Sequence, residues 1–260
     1  MNCFMVSVIL LYMVVVIQST LMYMENKPET SEPSHLRGLH QNVHFPTSES
    51  ISFLAVKDDP KYTITDAQVL SFSFDDLHGH LNCYEHAISQ NKQLYTSDMW
   101  QHMVQKYAEV TGDKITLEPQ PQSTFYVGKS EGAGRGVFAS RDIAKGEIIP
   151  FEATTAIVTF DDGVLWKKFV VSLPHAMACD VMEWSWTQDV FAEGNMKLCL
   201  SIGDGDSFLN SRGAGTLNIA PTNMTSLKFW AVNDIKEGEE LAFDYDVFPT
   251  RFDLFGLRSS

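Results

Sequence analysis

Basic residues are scarce in this chain: 19 Lys and Arg stand against 33 Asp and Glu, a formal net charge of −14 over 260 residues. Nucleic-acid binding without sequence preference draws its affinity from cations that neutralise phosphates, so this balance excludes it and favours basic partners instead. Cysteine is scarce as well. Cys3, Cys83, Cys179 and Cys199 are scattered without a CxxC pair, so neither a zinc ribbon nor a dense disulfide framework is indicated. What remains is an ordinary globular composition, 44% hydrophobic and 20% charged, with enough chain to bury a core.

Charge is wholly lacking from Met1 to Met24, where Phe4–Ile17 is apolar apart from Ser7. A bilayer span needs about 20 apolar residues. The run therefore suits the apolar region of a signal peptide or, extended to Met24, a signal anchor, although the basic flank that usually precedes one is missing. The expectation is membrane association or entry to the secretory pathway through residues 1–24, with cleavage and orientation left open. Residues 25–50 are rich in Pro, Ser, Glu and His without periodicity and read as a polar linker. Residues 51–122 read as a helical region, with Trp100, Met103, Val104 and Tyr107 at helical spacing and Gly112 and Pro119–Pro121 closing it.

From Phe125 the pattern changes to short apolar runs split by glycines, which predicts β structure. Asp142-Ile143-Ala144-Lys145-Gly146-Glu147 recurs as Asp234-Ile235-Lys236-Glu237-Gly238-Glu239, each copy between two apolar runs. The repeat reads as one device used twice, a strand, a glycine turn and a strand, making two hairpin-like units. Gly132-Ala133-Gly134-Arg135-Gly136 follows a predicted strand. Because Val137-Phe138-Ala139 continues as strand rather than helix, a dinucleotide-binding fold is excluded.

Farther on come Asp204-Gly205-Asp206-Ser207-Phe208-Leu209-Asn210-Ser211, then Leu217-Asn218, then Glu239-Glu240-Leu241-Ala242-Phe243-Asp244-Tyr245. Taken in order with the glycine cluster and the two turns, these resemble the SET domain of protein lysine methyltransferases across about Phe125–Pro249. The resemblance implies a mainly β (α+β) fold of small curved sheets with a C-terminal pseudoknot over 123–249, followed by a tail, 250–260. It implies S-adenosylmethionine as cofactor, held by Gly134, Arg135, Gly136, Asn210 and Ser211. A protein substrate bearing a lysine would enter a channel walled by Phe243 and Tyr245, the two residues placed at the chemistry. No metal and no catalytic base on the protein are required by that chemistry. Trp230 is expected to share the apolar wall, and Phe248, Phe252 and Phe255 to close the channel.

The departures from the pattern are Ser211 where the family has His, an unclear segment at Pro150–Thr154, and no cysteine-rich tail after Tyr245. They keep a second class open: a catalytically degenerate SET-like module acting as a protein-binding or membrane-tethered interaction domain.

Other clusters read as structural. His78-x-His80-x-x-Cys83-x-x-His86 has ligand-like residues at a spacing that matches no standard zinc site, and is read as a polar helix face with one buried cysteine. Asp75-Asp76 and Asp161-Asp162 read as caps or turns, Lys167-Lys168 as an exposed pair, and Trp166, Met182, Trp184 and Trp186 as core packing. Asn223-Met224-Thr225 is a glycosylation sequon that matters only if the domain faces a lumen.

Overall fold

A computed structural model describes residues 54–257 apart from 63, 118–123, 152–153, 190–193, 213–215, 223–227 and 246–250. All of them belong to one unit, Ser50–Ser260. The expectations for residues 1–24, 25–50, the Asn223 sequon and Phe248 lie outside the described residues.

Among the described residues four α-helices precede the first strand: α1 (Asp66–Ser71), α2 (Phe74–His80), α3 (Cys83–Ala87) and α4 (Ser97–Thr111). The first two are too short to hold themselves and begin with capping boxes, Thr65 with Gln68 and Ser73 with Asp76, which satisfy otherwise orphaned N–H groups. α4 is longer, starts on Thr96, stops at Gly112 with φ 84°, and buries Met99, Trp100, Met103 and Tyr107 along one face.

The strands are β1 (Phe125–Gly128), β2 (Gly136–Ala139), β3 (Ile148–Ile149), β4 (Thr155–Phe160), β5 (Trp186–Gln188), β6 (Lys197–Gly203), β7 (Asn210–Ser211), β8 (Ile219–Pro221), β9 (Phe229–Ala231) and β10 (Glu240–Phe243). They form three small sheets in the orders β1-β2-β10-β7, β3-β9-β8 and β4-β6-β5. All pairings are antiparallel except β10 with β7. The region is not wholly β. Helices α5 (Gly163–Val171) and α6 (His175–Trp184) stand between β4 and β5. They are nearly buried all round, so their sequence shows continuous apolarity in place of a helical stripe.

The repeated turns are built alike, with Gly146 at φ 84° and Gly238 at φ 81°. They are not two hairpins, however. The strand before the first turn, β2, pairs with the strand after the second, β10, and β3 pairs with β9. Ile143 and Ile235 exchange both backbone hydrogen bonds at 2.9 Å. Asp234 accepts from the Lys145 N–H at 2.8 Å while Asp142 accepts from the Glu237 N–H at 3.0 Å. Each copy therefore caps the other, in a near-twofold arrangement that satisfies both turns at once.

The helical segment is fastened to the insert helix α6 by polar and covalent ties. Cys83 and Cys179 form a disulfide across 96 residues. His78 Nε2 is 3.0 Å from Glu183 Oε1, His86 Nε2 is 2.7 Å from Asp180 Oδ1, and His175 Nε2 is 2.7 Å from the Leu81 carbonyl. The cysteine read as a lone buried thiol is thus cross-linked, because its partner comes from a helix that only tertiary packing brings alongside. Lys167 is also not exposed. It is 3% accessible, and its ammonium donates to the carbonyls of Leu70 and Phe72 past the end of α1. Reducing the disulfide in metal-free buffer is expected to cost about 2–5 kcal/mol, read as a fall in the denaturant midpoint. An unchanged midpoint would show that the cross-link adds nothing to stability.

Candidate functional site

Asn210 and Ser211 lie on β7, which runs parallel to Ala242 and Phe243 of β10. That pairing brings the two distant motifs side by side and places Tyr245, just beyond β10, against the same segment. The Tyr245 N–H donates to Ser211 Oγ at 3.3 Å, and the Tyr245 hydroxyl donates to the Leu209 carbonyl. Since the phenolic proton is committed to Leu209, the oxygen keeps its lone pairs for other partners. The residue is 46% exposed, yet its hydroxyl points inward, and burial together with the carboxylates of Asp206 and Glu183 holds the phenol well above its ordinary pKa.

Phe243 and Tyr245 line a cavity of about 350 Å³. Phe229 stands on Phe243, ring centroids 5.2 Å apart, and Phe243 on Tyr245 at 5.0 Å. Trp184, Trp186 and Met182 come in from the insert, Phe74 from α2 and Phe252 from the C-terminal turn. Trp230 does not take part. Neighbouring strand residues face opposite ways, so it is Phe229 that reaches the cavity. Phe252 lines the cavity, whereas Phe255 packs on the core. Of the insert residues read as core, Trp166 and Met182 are buried in it and Trp184 packs against it, while Met182, Trp184 and Trp186 also line the cavity.

The cavity is acidic as well as aromatic, which the sequence motifs did not signal. Asp206 and Glu183 both line it. One carboxylate oxygen of Asp206 accepts from Ser201 Oγ at 2.6 Å, while the other, Oδ1, is buried with no hydrogen-bond partner. Burial pushes the Asp206 carboxyl above the usual range, against the pull of its hydrogen bonds.

The glycine turn is joined to this assembly by Asn210, whose amide donates to the Arg135 carbonyl at 2.8 Å and to Glu240 at 2.7 Å. The turn nevertheless differs from a vacant cradle. The Arg135 side chain is 5% accessible and forms a two-point ion pair with Asp180, with Nη1 2.9 Å from Oδ2. Its guanidinium also packs over the rings of Tyr95, Trp184 and Phe208 at 5.1–5.4 Å. A Cβ on Gly134 would lie 2.9 Å from the Ser89 carbonyl, and one on Gly136 would lie 2.5 Å from the Glu240 carboxylate. Gln90 takes the Gly132 N–H at 2.9 Å and gives its own N–H to the Gly132 carbonyl at 3.1 Å. These glycines are therefore required by the protein's own packing.

On the β7–Tyr245 side Ser211 is exposed and Tyr245 offers lone pairs, groups able to hold a nucleoside cofactor. The glycine turn is instead covered by Ser89, Gln90 and Gln93. No sequence feature marked Gln90, and the resemblance, which put the backbone of Arg135 at the cofactor, said nothing of the side chain that pairs with Asp180.

The sequence model of the SET domain matches residues 134–246. No curated protein matches the chain. Among solved structures, the Chaetomium thermophilum Polycomb Repressive Complex 2 is similar at 28% identity over 50% of this chain and 16% of that one, with a TM-score of 0.34. The same complex in an autoinhibited conformation bound to S-adenosylmethionine gives 28% identity, 50% and 16% coverage and a TM-score of 0.35. A histone methyltransferase candidate from Plasmodium falciparum gives 23% identity over 48% of this chain and 95% of that one, with a TM-score of 0.28. This chain thus spans about a sixth of the Polycomb chains it matches. Ordered motifs, paired β7 and β10 and the family match converge on one statement: the chain carries a SET domain at residues 134–246.

Proposed function

We propose that this domain transfers a methyl group from S-adenosylmethionine to a protein lysine side chain. The observation that carries the reading is the acidic, aromatic cavity at Phe243 and Tyr245, directly beside Asn210 and Ser211. When bound, S-adenosylmethionine supplies an electrophilic methyl group. Asn210 and Ser211 would contact the cofactor, and the Tyr245 lone pairs would face its methyl group.

The remaining work falls to the cavity. Negative charge from Asp206 and Glu183 and the faces of the aromatic rings draw in an alkylammonium. The dry wall then favours its neutral form. Full desolvation lowers a lysine pKa by as much as about 3–5 units, whereas a neighbouring carboxylate raises it by about 1–3. Where the wall desolvates the amine fully, the lowering exceeds the raising and the amine becomes a nucleophile. Alignment in the channel does the rest. Entry through a secretory or membrane route, proposed from the uncharged Met1–Met24, places the substrate among proteins of that route, and the disulfide supports it because such bonds persist in oxidising compartments.

A second reading, a non-catalytic binding module, is favoured by one observation: the glycine turn is covered by Gln90. Calorimetry with S-adenosylmethionine on wild type and Gln90→Ala separates the two. Losing two surface hydrogen bonds of about 0.5–1 kcal/mol each should tighten cofactor binding about five- to thirtyfold, since the turn must be uncovered first. Binding by neither protein, with no methyl incorporation into lysine-bearing proteins, would sink the enzymatic reading.

A further inference from the structure

The four-residue cluster His78, His80, Cys83, His86 is divided by the fold. His80 turns to the Tyr62 carbonyl at 2.6 Å and His78 to Glu183. Cys83 and His86, three residues apart on α3, instead face His175 and Cys179, four residues apart on α6. Residues at those spacings share a helix face. Two packed helices therefore present a Cys-x2-His and a His-x3-Cys pair toward each other, two thiols and two imidazoles, the ligand types of a structural zinc site.

For three of the four donors the distances agree. Donor atoms of Cys83, His175 and Cys179 all lie within 4.8 Å of one another. His175 Nε2 is 3.6 Å from Cys179 Sγ. Zinc bonds of about 2.3 Å to sulfur and 2.0–2.1 Å to nitrogen put two tetrahedral ligands of those kinds about 3.6 Å apart. The His86 and His175 ring centroids are 6.5 Å apart. Asp180 holds His86 Nε2 at 2.7 Å, and a carboxylate on one ring nitrogen is the arrangement that orients a histidine to ligate through the other.

We propose that, once the disulfide is reduced, Cys83, His175 and Cys179 bind one Zn²⁺ with His86 as the fourth donor. The helical segment and α6 are then tied by a sulfur–sulfur bond under oxidising conditions and by zinc under reducing ones. A trialkylphosphine supplies the two electrons: the S–S bond breaks, the phosphine takes the oxygen of one water to become its oxide, and two thiols form. Both thiol protons leave to solvent as the thiolates bind the ion, and the sulfurs part from bonding distance to about 3.8 Å. The Cα atoms, 5.2 Å apart, can remain in place while the side chains rotate. His175 stays neutral, its proton moving from Nε2 to Nδ1, and the Leu81 carbonyl gives up that donor. The tie matters to the site because α6 also carries Asp180, which grips Arg135, and Glu183 and Trp184 of the cavity wall.

The test uses the full chain, reduced with a phosphine under anaerobic conditions and titrated with Co²⁺. The expected result is one cobalt per chain with tetrahedral d–d bands and thiolate charge transfer, displaced by Zn²⁺ and absent from the oxidised protein. Buried Cys199, whose thiol is pushed up to about 12 by burial, is not a competing ligand. His175→Ala should weaken cobalt binding at least about a hundredfold, and His86→Ala about 10–100-fold. Both variants keep the cysteines, so the oxidised forms report by circular dichroism whether they fold. A reduced, folded protein that binds no cobalt, or binds it equally well in His175→Ala, overturns the proposal. So does a chain that unfolds on reduction and is not restored by zinc.

Discussion

Replacing Asp180 by Asn is expected to cost about 3–5 kcal/mol of folding stability, the range seen when one partner of a buried ion pair is removed. Asp180 is 1% accessible and Arg135 5%, so the guanidinium would be left charged among Tyr95, Trp184 and Phe208 with no counter-ion and no water. The same carboxylate also accepts from the Tyr95 hydroxyl at 2.9 Å and from His86, so its loss reaches the helical segment too. The pair is costly in itself, because two charges were taken out of water. Replacing both members with apolar residues, Arg135→Met with Asp180→Leu, should therefore recover much of the loss. Denaturant unfolding of the two single variants and the double variant measures the coupling.

The pH dependence carries a definite sign. Burial alone would raise the Asp180 carboxyl, but the hydrogen bond from His86 and the Arg135 charge outweigh it and hold the carboxyl below its ordinary value. A depressed acid contributes its full stabilisation above the unfolded pKa of about 3.9 and loses it as pH falls through the lower folded value. Wild type should accordingly lose stability on acidification below about pH 4, and Asp180→Asn should show a shallower slope there. Parallel slopes would mean that other carboxylates carry the acid response.

Tyr245→Phe is expected to lower methyl transfer on the order of a hundredfold, the usual loss when one pre-oriented polar group is removed from a reacting centre. The substitution keeps the ring that packs at 5.0 Å on Phe243 and deletes only the hydroxyl. Its hydrogen bond to the Leu209 carbonyl is worth about 1 kcal/mol, so the variant should remain folded. Rate and stability are thereby separable: single-turnover transfer should fall while the unfolding midpoint barely moves. A variant as active as wild type would remove Tyr245 from the chemistry, and equal loss of binding and rate would make it a wall residue only.

Much of the fold was legible in the sequence because its signals are local. Capping residues, the glycines at φ 84° and 81°, and the helical stripe of α4 each depend on neighbours within a few positions. The order of motifs from Gly134 to Tyr245 likewise survives in the linear chain, and it pointed to the SET domain. Partner choice did not survive in that form. The two repeated turns read as separate hairpins, and only strand pairing decided that each arm binds the other copy.

The glycine cluster shows the same division. The resemblance set it at a cofactor; the structure brings the Ser89 carbonyl and the Glu240 carboxylate against Gly134 and Gly136. The opening scarcity of cysteine gave no hint that Cys83 and Cys179 meet across 96 residues. Nor could spacing show that Asp206 and Glu183 would share a cavity with Phe243 and Tyr245. Local conformation is set by short-range sterics and hydrogen bonding, which sequence pattern reports. Which buried charge, sulfur or ring meets which is set by packing between elements far apart in the chain, and for this protein the tertiary structure alone decided it.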